Sequence, residues 1–167
     1  MKKKDVNVTF RETTLADLDY YRTWLQQDGV LEWCPMSNPS EVDIAVGHAK
    51  YFMHKGGATT AIHSDKAVGL CMLFINDIKK LSHHSLFLII VDEAYRGQGV
   101  GTLLLQHVIN SAKKDHGLEI LHLEVYENNP AINLYKKVGF KQYGKHEKFI
   151  KDDKGQYFCK VMMEMEL

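Results

Sequence analysis

Val91-Asp92-Glu93-Ala94-Tyr95-Arg96-Gly97-Gln98-Gly99-Val100-Gly101 joins an apolar run to an amphipathic one through a loop with glycine at every second position. Just upstream, Ser85-Leu86-Phe87-Leu88-Ile89-Ile90-Val91 is a continuous β-branched and aromatic segment, the pattern of a buried strand. Just downstream, Val100, Leu104, Val108 and Ala112 recur every four residues with Leu105 beside them, which makes one face of a helix. Glycines at 97, 99 and 101 remove Cβ atoms from the strand-to-helix junction. Successive N–H groups can therefore close on an anion at the positive end of the helix. The spacing predicts a ligand that carries phosphate.

What the loop lacks narrows that ligand. A dinucleotide fingerprint starting at Gly97 needs glycine at 102, where Thr102 stands, and usually lies in the first strand-helix-strand unit. A triphosphate loop ends in Gly-Lys-Ser/Thr, whereas Gly101-Thr102 has no lysine between them. Arg-x-x-Gly-x-Gly remains, at Arg96, Gly99 and Gly101.

The chain has 167 residues, 45% of them hydrophobic, enough for one domain with a core and too few for two, so a single domain over residues 1–167 is expected. Lys+Arg and Asp+Glu both number 21, so no global field favours nucleic acid. No stretch approaches the roughly 20 apolar residues of a membrane span. Met1-Lys2-Lys3-Lys4 runs into Asp5-Val6-Asn7 rather than the apolar core of a leader, so a cytoplasmic protein is expected. Cys34, Cys71 and Cys159 are odd in number and far apart, which fits reduced, packed side chains better than disulfides or a metal site. His83 and His84 are adjacent and on a strand point to opposite faces, so no metal is predicted.

The elements read as an α/β chain with a mixed sheet: strand, two helices, three strands, helix, strand, helix and two final strands. Residues 6–11 form the first strand. A helix over 14–27 follows, capped by Thr13-Thr14 and ended by Gly29, and a second follows Pro39-Ser40-Glu41, carries Ile44, Ala45, His48, Tyr51 and Phe52 and stops at Gly56-Gly57. Strands at 59–63 and 67–75 turn at Ser64-Asp65-Lys66, and residues 78–83 lead into the strand before the glycine loop. Ile120 to Tyr126 alternates as a strand, parallel to the 85–91 strand because a helix crosses between them. A short helix starts at Asn128-Asn129-Pro130-Ala131 and stops at Gly139. A hairpin of 142–150 and 156–166 turns at Asp152-Asp153-Lys154-Gly155.

A second motif, Leu123-Glu124-Val125-Tyr126-Glu127-Asn128-Asn129-Pro130-Ala131-Ile132-Asn133-Leu134-Tyr135-Lys136-Lys137-Val138-Gly139-Phe140, follows the glycine loop. Together the two resemble the coenzyme A half of the GNAT superfamily of N-acetyltransferases, closely over residues 85–142 and loosely over the whole chain. The resemblance implies the GNAT acyl-CoA N-acyltransferase fold, in which the two parallel strands splay apart. It implies acetyl-CoA as co-substrate and no metal. The acceptor is a small-molecule amine or a peptide N-terminus, with no nucleic acid or membrane as partner and a homodimer left open.

By that resemblance the amides of Arg96, Gly97, Gln98, Gly99, Val100 and Gly101, with Thr102, hold the pyrophosphate, and Asn128 contacts the pantetheine arm. Backbone groups near Ile90 and Val91 lie against the acetyl-pantetheine, where an amide can polarise the thioester carbonyl. Tyr135 takes the place of the general acid that protonates the leaving thiolate, with core packing as its other reading. An alkylamine is protonated in all but about one molecule per thousand at neutral pH, so a base is needed. The strand before the loop has no carboxylate, which departs from many relatives and leaves His84 and Glu124 as candidates, with Glu93 in the loop behind them. Trp24 and Trp33, near acidic groups, are candidates for an amine pocket, each with core packing as the alternative. Direct transfer in a ternary complex is expected, since no activated nucleophile is visible. A catalytically silent acyl-CoA-binding module is the alternative, and an unrelated nucleotide-binding domain a third reading.

Overall fold

Residues 6–167 are described by a computed structural model. The leader expectation drawn from residues 1–5 lies outside the described residues. The elements follow the expected order: β1 (Thr9–Glu12), α1 (Asp17–Leu25), α2 (Pro39–His54), β2 (Ala58–His63), β3 (Lys66–Leu73), β4 (His84–Val91), α3 (Val100–Lys114), β5 (Ile120–Tyr126), α4 (Ala131–Val138), β6 (Lys141–Lys151) and β7 (Tyr157–Glu166). Single 3₁₀ turns at Leu31–Trp33 and Glu93–Tyr95 precede α2 and the glycine loop. Among the described residues no helix is long and apolar enough to cross a membrane.

The seven strands form one sheet in the order β1-β2-β3-β4-β5-β7-β6. β4 and β5 run parallel, as the helical crossover predicts, and the other neighbours are antiparallel. Strand alternation sends residues to two layers. On one face Leu70 and Met72 pack beneath Leu18, Tyr21, Trp24 and Leu25 of α1 and Val42, Val46 and Ala49 of α2. On the other, Phe87, Leu121 and Leu123 pack against Val100, Leu104, Leu105, Val108 and Ala112, the face of α3 set by its period. Each large aliphatic side chain on that face adds about 1.5–3 kcal/mol by leaving water.

The largest departure from expectation is at α1. It starts at Asp17 rather than 14 and ends at Leu25 rather than 27, and Thr14 is not its cap. Instead the Asp17 carboxylate turns back to accept from Thr14 N (2.7 Å) and Thr14 Oγ1 (3.0 Å), and takes both Arg11 nitrogens at 2.6 and 2.9 Å. The bond back to Thr14 N is the carboxylate half of a capping box, and the same carboxylate is tied to β1 through Arg11. β1 itself begins at Thr9, and β3 stops at Leu73 rather than Ile75, before an irregular stretch that turns at 79–83 into β4. α2 instead follows its signal: Asn38 caps it through Glu41 N at 3.1 Å, with Pro39 in the first turn.

Candidate functional site

β4 and β5 pair only from His84–Ile120 to Leu86–His122, and beyond those residues the ladder stops. On its other edge β4 stays paired with β3 as far as Val91. Leu86 O accepts from Phe74 N at 2.9 Å and Asp92 N donates to Val68 O at 3.0 Å, so even-numbered positions of β4 turn towards β3. By alternation Phe87, Ile89 and Val91 turn their backbone groups into the opening. This corrects the expectation for Ile90, whose amide faces β3, and brings in Ile89, which sequence reading passed over. Val91 O is already taken by Arg96 Nε at 2.9 Å.

The glycine loop stands at the open end of this splay. Gly97 (φ +70°) and Gly99 (φ +89°) are left-handed, and a Cβ on either meets nothing within 4 Å, so conformation rather than crowding requires glycine there. Among the described residues no protein acceptor takes the N–H groups of residues 97–102. The N–H of Arg96 is different: it donates to Glu93 O at 3.2 Å, and its side chain is tied down as well. Six donors without protein acceptors at the start of α3, on a helix 15 residues long, form a cradle suited to an anion. Beside it a cavity of about 490 Å³ is lined by Gln98, Gly99, Thr102, Leu103 and Lys137, with Val6 and Asn7. The opening, the free donors and a flanking cavity with a lysine fit coenzyme A.

The loop is held from outside by Gln27, just past the end of α1. Its Oε1 accepts from Glu93 N (3.1 Å) and Arg96 Nη2 (3.0 Å), and its Nε2 donates to Asp92 Oδ1 (2.9 Å). No local pattern in the sequence marks Gln27, because its partners lie 65 to 69 positions away.

Asn128 adopts φ +72°, unusual for a side-chain-bearing residue, directly after β5. Its neighbour Asn129 caps α4, accepting from Ala131 N at 2.8 Å, and among the described residues no protein partner takes the Asn128 amide. Tyr135 on α4 is 8% exposed and packs between Phe87 and Phe140, ring centroids 6.0 and 6.2 Å away. Burial, and then Cys71 and Cys34, push its phenol well above the usual tyrosine range.

On the face of α1 and α2, His84 Nδ1 lies 3.1 Å from His122 Nε2. One ring must donate and the other accept, so the accepting nitrogen carries no proton. Burial first, then His84, holds the His122 imidazole below its usual value, against the pull of Glu124 and Glu164. The pair opens on a cavity of about 410 Å³ with Phe52, Phe74 and Leu86 in its wall. His122 was not singled out in the sequence, yet it alternates with Glu124 on β5 and the period of two marks both for one face. Glu124 is paired with Lys160 Nζ at 2.7 Å.

The tryptophans part company. Trp24 is 1% exposed within the α1–α2 core, so it lines no pocket. Trp33 is 38% exposed and edge-on to Tyr126 at 6.5 Å, on the α1–α2 side of the sheet, where Tyr126 Oη donates to Cys34 O at 3.0 Å. Glu93 stays on the exposed loop turn.

The sequence model of the acetyltransferase (GNAT) family matches residues 18–140. An N-alpha-acetyltransferase of Sulfurisphaera tokodaii is 51% identical over 55 residues, 32% of this chain and 33% of that protein, so the chain spans about a third of this curated relative's length. A ribosomal-protein-alanine N-acetyltransferase of Brucella melitensis shares the fold with a TM-score of 0.79 at 21% identity, over 95% of this chain and 99% of that one. So does yncA of Salmonella typhimurium, solved with its cofactor acetyl-CoA, with a TM-score of 0.80 at 16% identity over 96% and 94% of the two chains. With the parallel splay, the glycine cradle and a family match spanning both motifs, the chain belongs to the acetyltransferase (GNAT) family.

Proposed function

We propose that this protein is a single-domain, acetyl-CoA-dependent N-acetyltransferase that passes the acetyl group directly to a primary amine. The observation that carries the reading is the β4–β5 opening with free N–H groups of residues 97–102 at its mouth. Bound there, acetyl-CoA supplies an activated acyl group whose sulfur can leave. Transfer joins the amine nitrogen to the acyl carbon, breaks the carbon–sulfur bond, removes a proton from the amine and delivers one to the sulfur.

The chain's own groups divide this work. The amides of residues 97–102 hold the pyrophosphate, and Asn128 the pantetheine arm. Ile89, with Phe87 and Val91 on the same edge, offers backbone groups to the pantetheine and the thioester carbonyl. The His84–His122 pair accepts the amine's proton directly or through water, at a ring nitrogen not engaged in the bond between the two rings, with Glu124 as the second candidate. Tyr135 is the candidate acid, although a phenol raised by burial gives up its proton reluctantly. The acceptor enters on the side of Trp33 and Tyr126. Amines on amino acids and protein N-termini are the favoured class, in keeping with the relatives' names. The setting is the cytoplasm, which suits three free cysteines.

A thiol-release assay with acetyl-CoA against amino acids, polyamines, aminoglycosides and N-terminal peptides tests the reading. Saturable release with at least one acceptor is expected. Coenzyme A binding without release for any amine would favour the silent acyl-CoA-binding module. Tighter binding of a dinucleotide than of acetyl-CoA would overturn both.

A further inference from the structure

Lys160 on β7 is 8% exposed, and its ammonium is gripped from two sides. Nζ donates to Glu124 Oε2 at 2.7 Å and stands 3.3 Å from the centroid of the Phe149 ring. In the β5–β7 register Lys160 lies opposite Tyr126, and Glu124 lies one alternation further along the same face. A carboxylate together with an aromatic face is the combination that binds an alkylammonium ion. Here that combination is built on the α1–α2 side of the sheet and already filled by the chain's own ammonium. Glu127 is paired with Lys145, and Glu164 sits opposite His122, about 13 Å from Lys160 along the strand at 3.3 Å per residue.

We propose that Lys160 determines acceptor specificity by excluding amines that carry a second positive charge. A polyamine, an aminoglycoside or a lysyl N-terminus brings a distal ammonium towards a carboxylate that Lys160 has neutralised, and meets repulsion instead of a partner. The class that fits is the α-amine of an amino acid or peptide whose first side chain is uncharged. This selectivity rests on the acetyl-transfer reading above.

The test compares spermidine with a tetrapeptide whose first residue is uncharged, using the full chain. Lys160→Met keeps most of the apolar stem without the charge, and Lys160→Arg keeps the charge. Wild type and Lys160→Arg are expected to prefer the peptide. Lys160→Met should raise kcat/KM for spermidine relative to the peptide about tenfold, between the water and protein-surface limits for unit charges several ångströms apart. Calorimetry with coenzyme A present should show spermidine binding tighter to Lys160→Met than to wild type. A wild type that prefers spermidine overturns the proposal, and that comparison stands even if Lys160→Met does not fold. An unchanged preference in a folded Lys160→Met also overturns it. Absence of thiol release with every acceptor sinks the acetyl-transfer reading instead, and the calorimetric comparison then decides the charge question alone.

Discussion

Gln27 Oε1 accepts a hydrogen bond from Arg96 Nη2 at 3.0 Å across 69 positions of the chain, so the end of α1 is tied to the loop that opens α3. The same amide oxygen takes Glu93 N and the amide nitrogen reaches Asp92. Donor and acceptor sides of the proposed site thus share one side chain. Gln27→Ala should raise KM for acetyl-CoA about tenfold while kcat changes little, because three bonds at about 1 kcal/mol or less each position the loop without touching the reacting atoms. Steady-state kinetics with varied acetyl-CoA checks this, and a kcat loss with KM intact would reverse the assignment.

The glycines of the loop are not equivalent. Gly99→Ala forces a Cβ into φ +89° and should cost about 1–2 kcal/mol, and weaken coenzyme A binding as the cradle distorts. A Cβ at Gly101 meets Leu134 Cδ2 at 3.5 Å and Val91 Cγ2 at 3.6 Å, ordinary contact inside the first turn of α3. Gly101→Ala should therefore be neutral or stabilising by up to about 1 kcal/mol, as thermal melts of both variants will show.

Tyr135→Phe separates packing from acid catalysis. If the phenol protonates the leaving thiolate, thiol release falls by about 10²–10⁴ with little loss of stability. Undiminished turnover across the pH range would leave Tyr135 as a core residue beside Phe87 and Phe140.

The depressed His122 fixes the sign of a pH effect. In the unfolded chain its imidazole titrates near 6.5, and in the fold it titrates lower, so the unfolded state binds the proton first as pH falls. Its contribution to stability is full above about pH 6.5 and is lost as pH falls through the folded value. Urea titrations at pH 7.5 and below 6 should show a smaller loss in His122→Gln than in wild type. Activity should fall over the same window if the His84–His122 pair is the base.

At the other end of the sheet Asp17 is 2% exposed. Burial alone raises a carboxyl pKa, but hydrogen bonds from Arg11 and Thr14 and the Arg11 charge outweigh it and hold the carboxyl below its usual value. That stability is present above about pH 4 and lost as pH falls through the lower folded value. Asp17→Asn should cost about 2 kcal/mol at pH 7, less than a fully buried pair because Arg11 is 44% exposed, and the difference from wild type should shrink on acidification.

Local pattern sufficed wherever the signal lies within a few residues. The period of four in Val100, Leu104, Val108 and Ala112, the alternation of Ile120 to Tyr126 and the glycine-marked turns set the element order and the parallel β4–β5 pair. It failed where a distant partner competes. The Asp17 carboxylate is shared with Arg11 of β1, a pairing no local pattern announces, and burial in the α1–α2 core took Trp24 away from any pocket. His122 was legible in principle, through its alternation with Glu124, but its partner His84 lies 38 positions away.

By itself, then, the sequence determined the donor half of this protein. Gly97, Gly99 and Gly101 follow a buried strand and open a helix, and such a junction is a short-range feature of backbone conformation. Only the tertiary structure brought the other candidate groups together around it. The Gln27 clamp, the hydrogen-bonded His84–His122 pair and the Lys160 ammonium held by Glu124 and Phe149 each depend on side chains from different strands and helices. Their charges and hydrogen bonds acquire a function only at distances that folding alone creates.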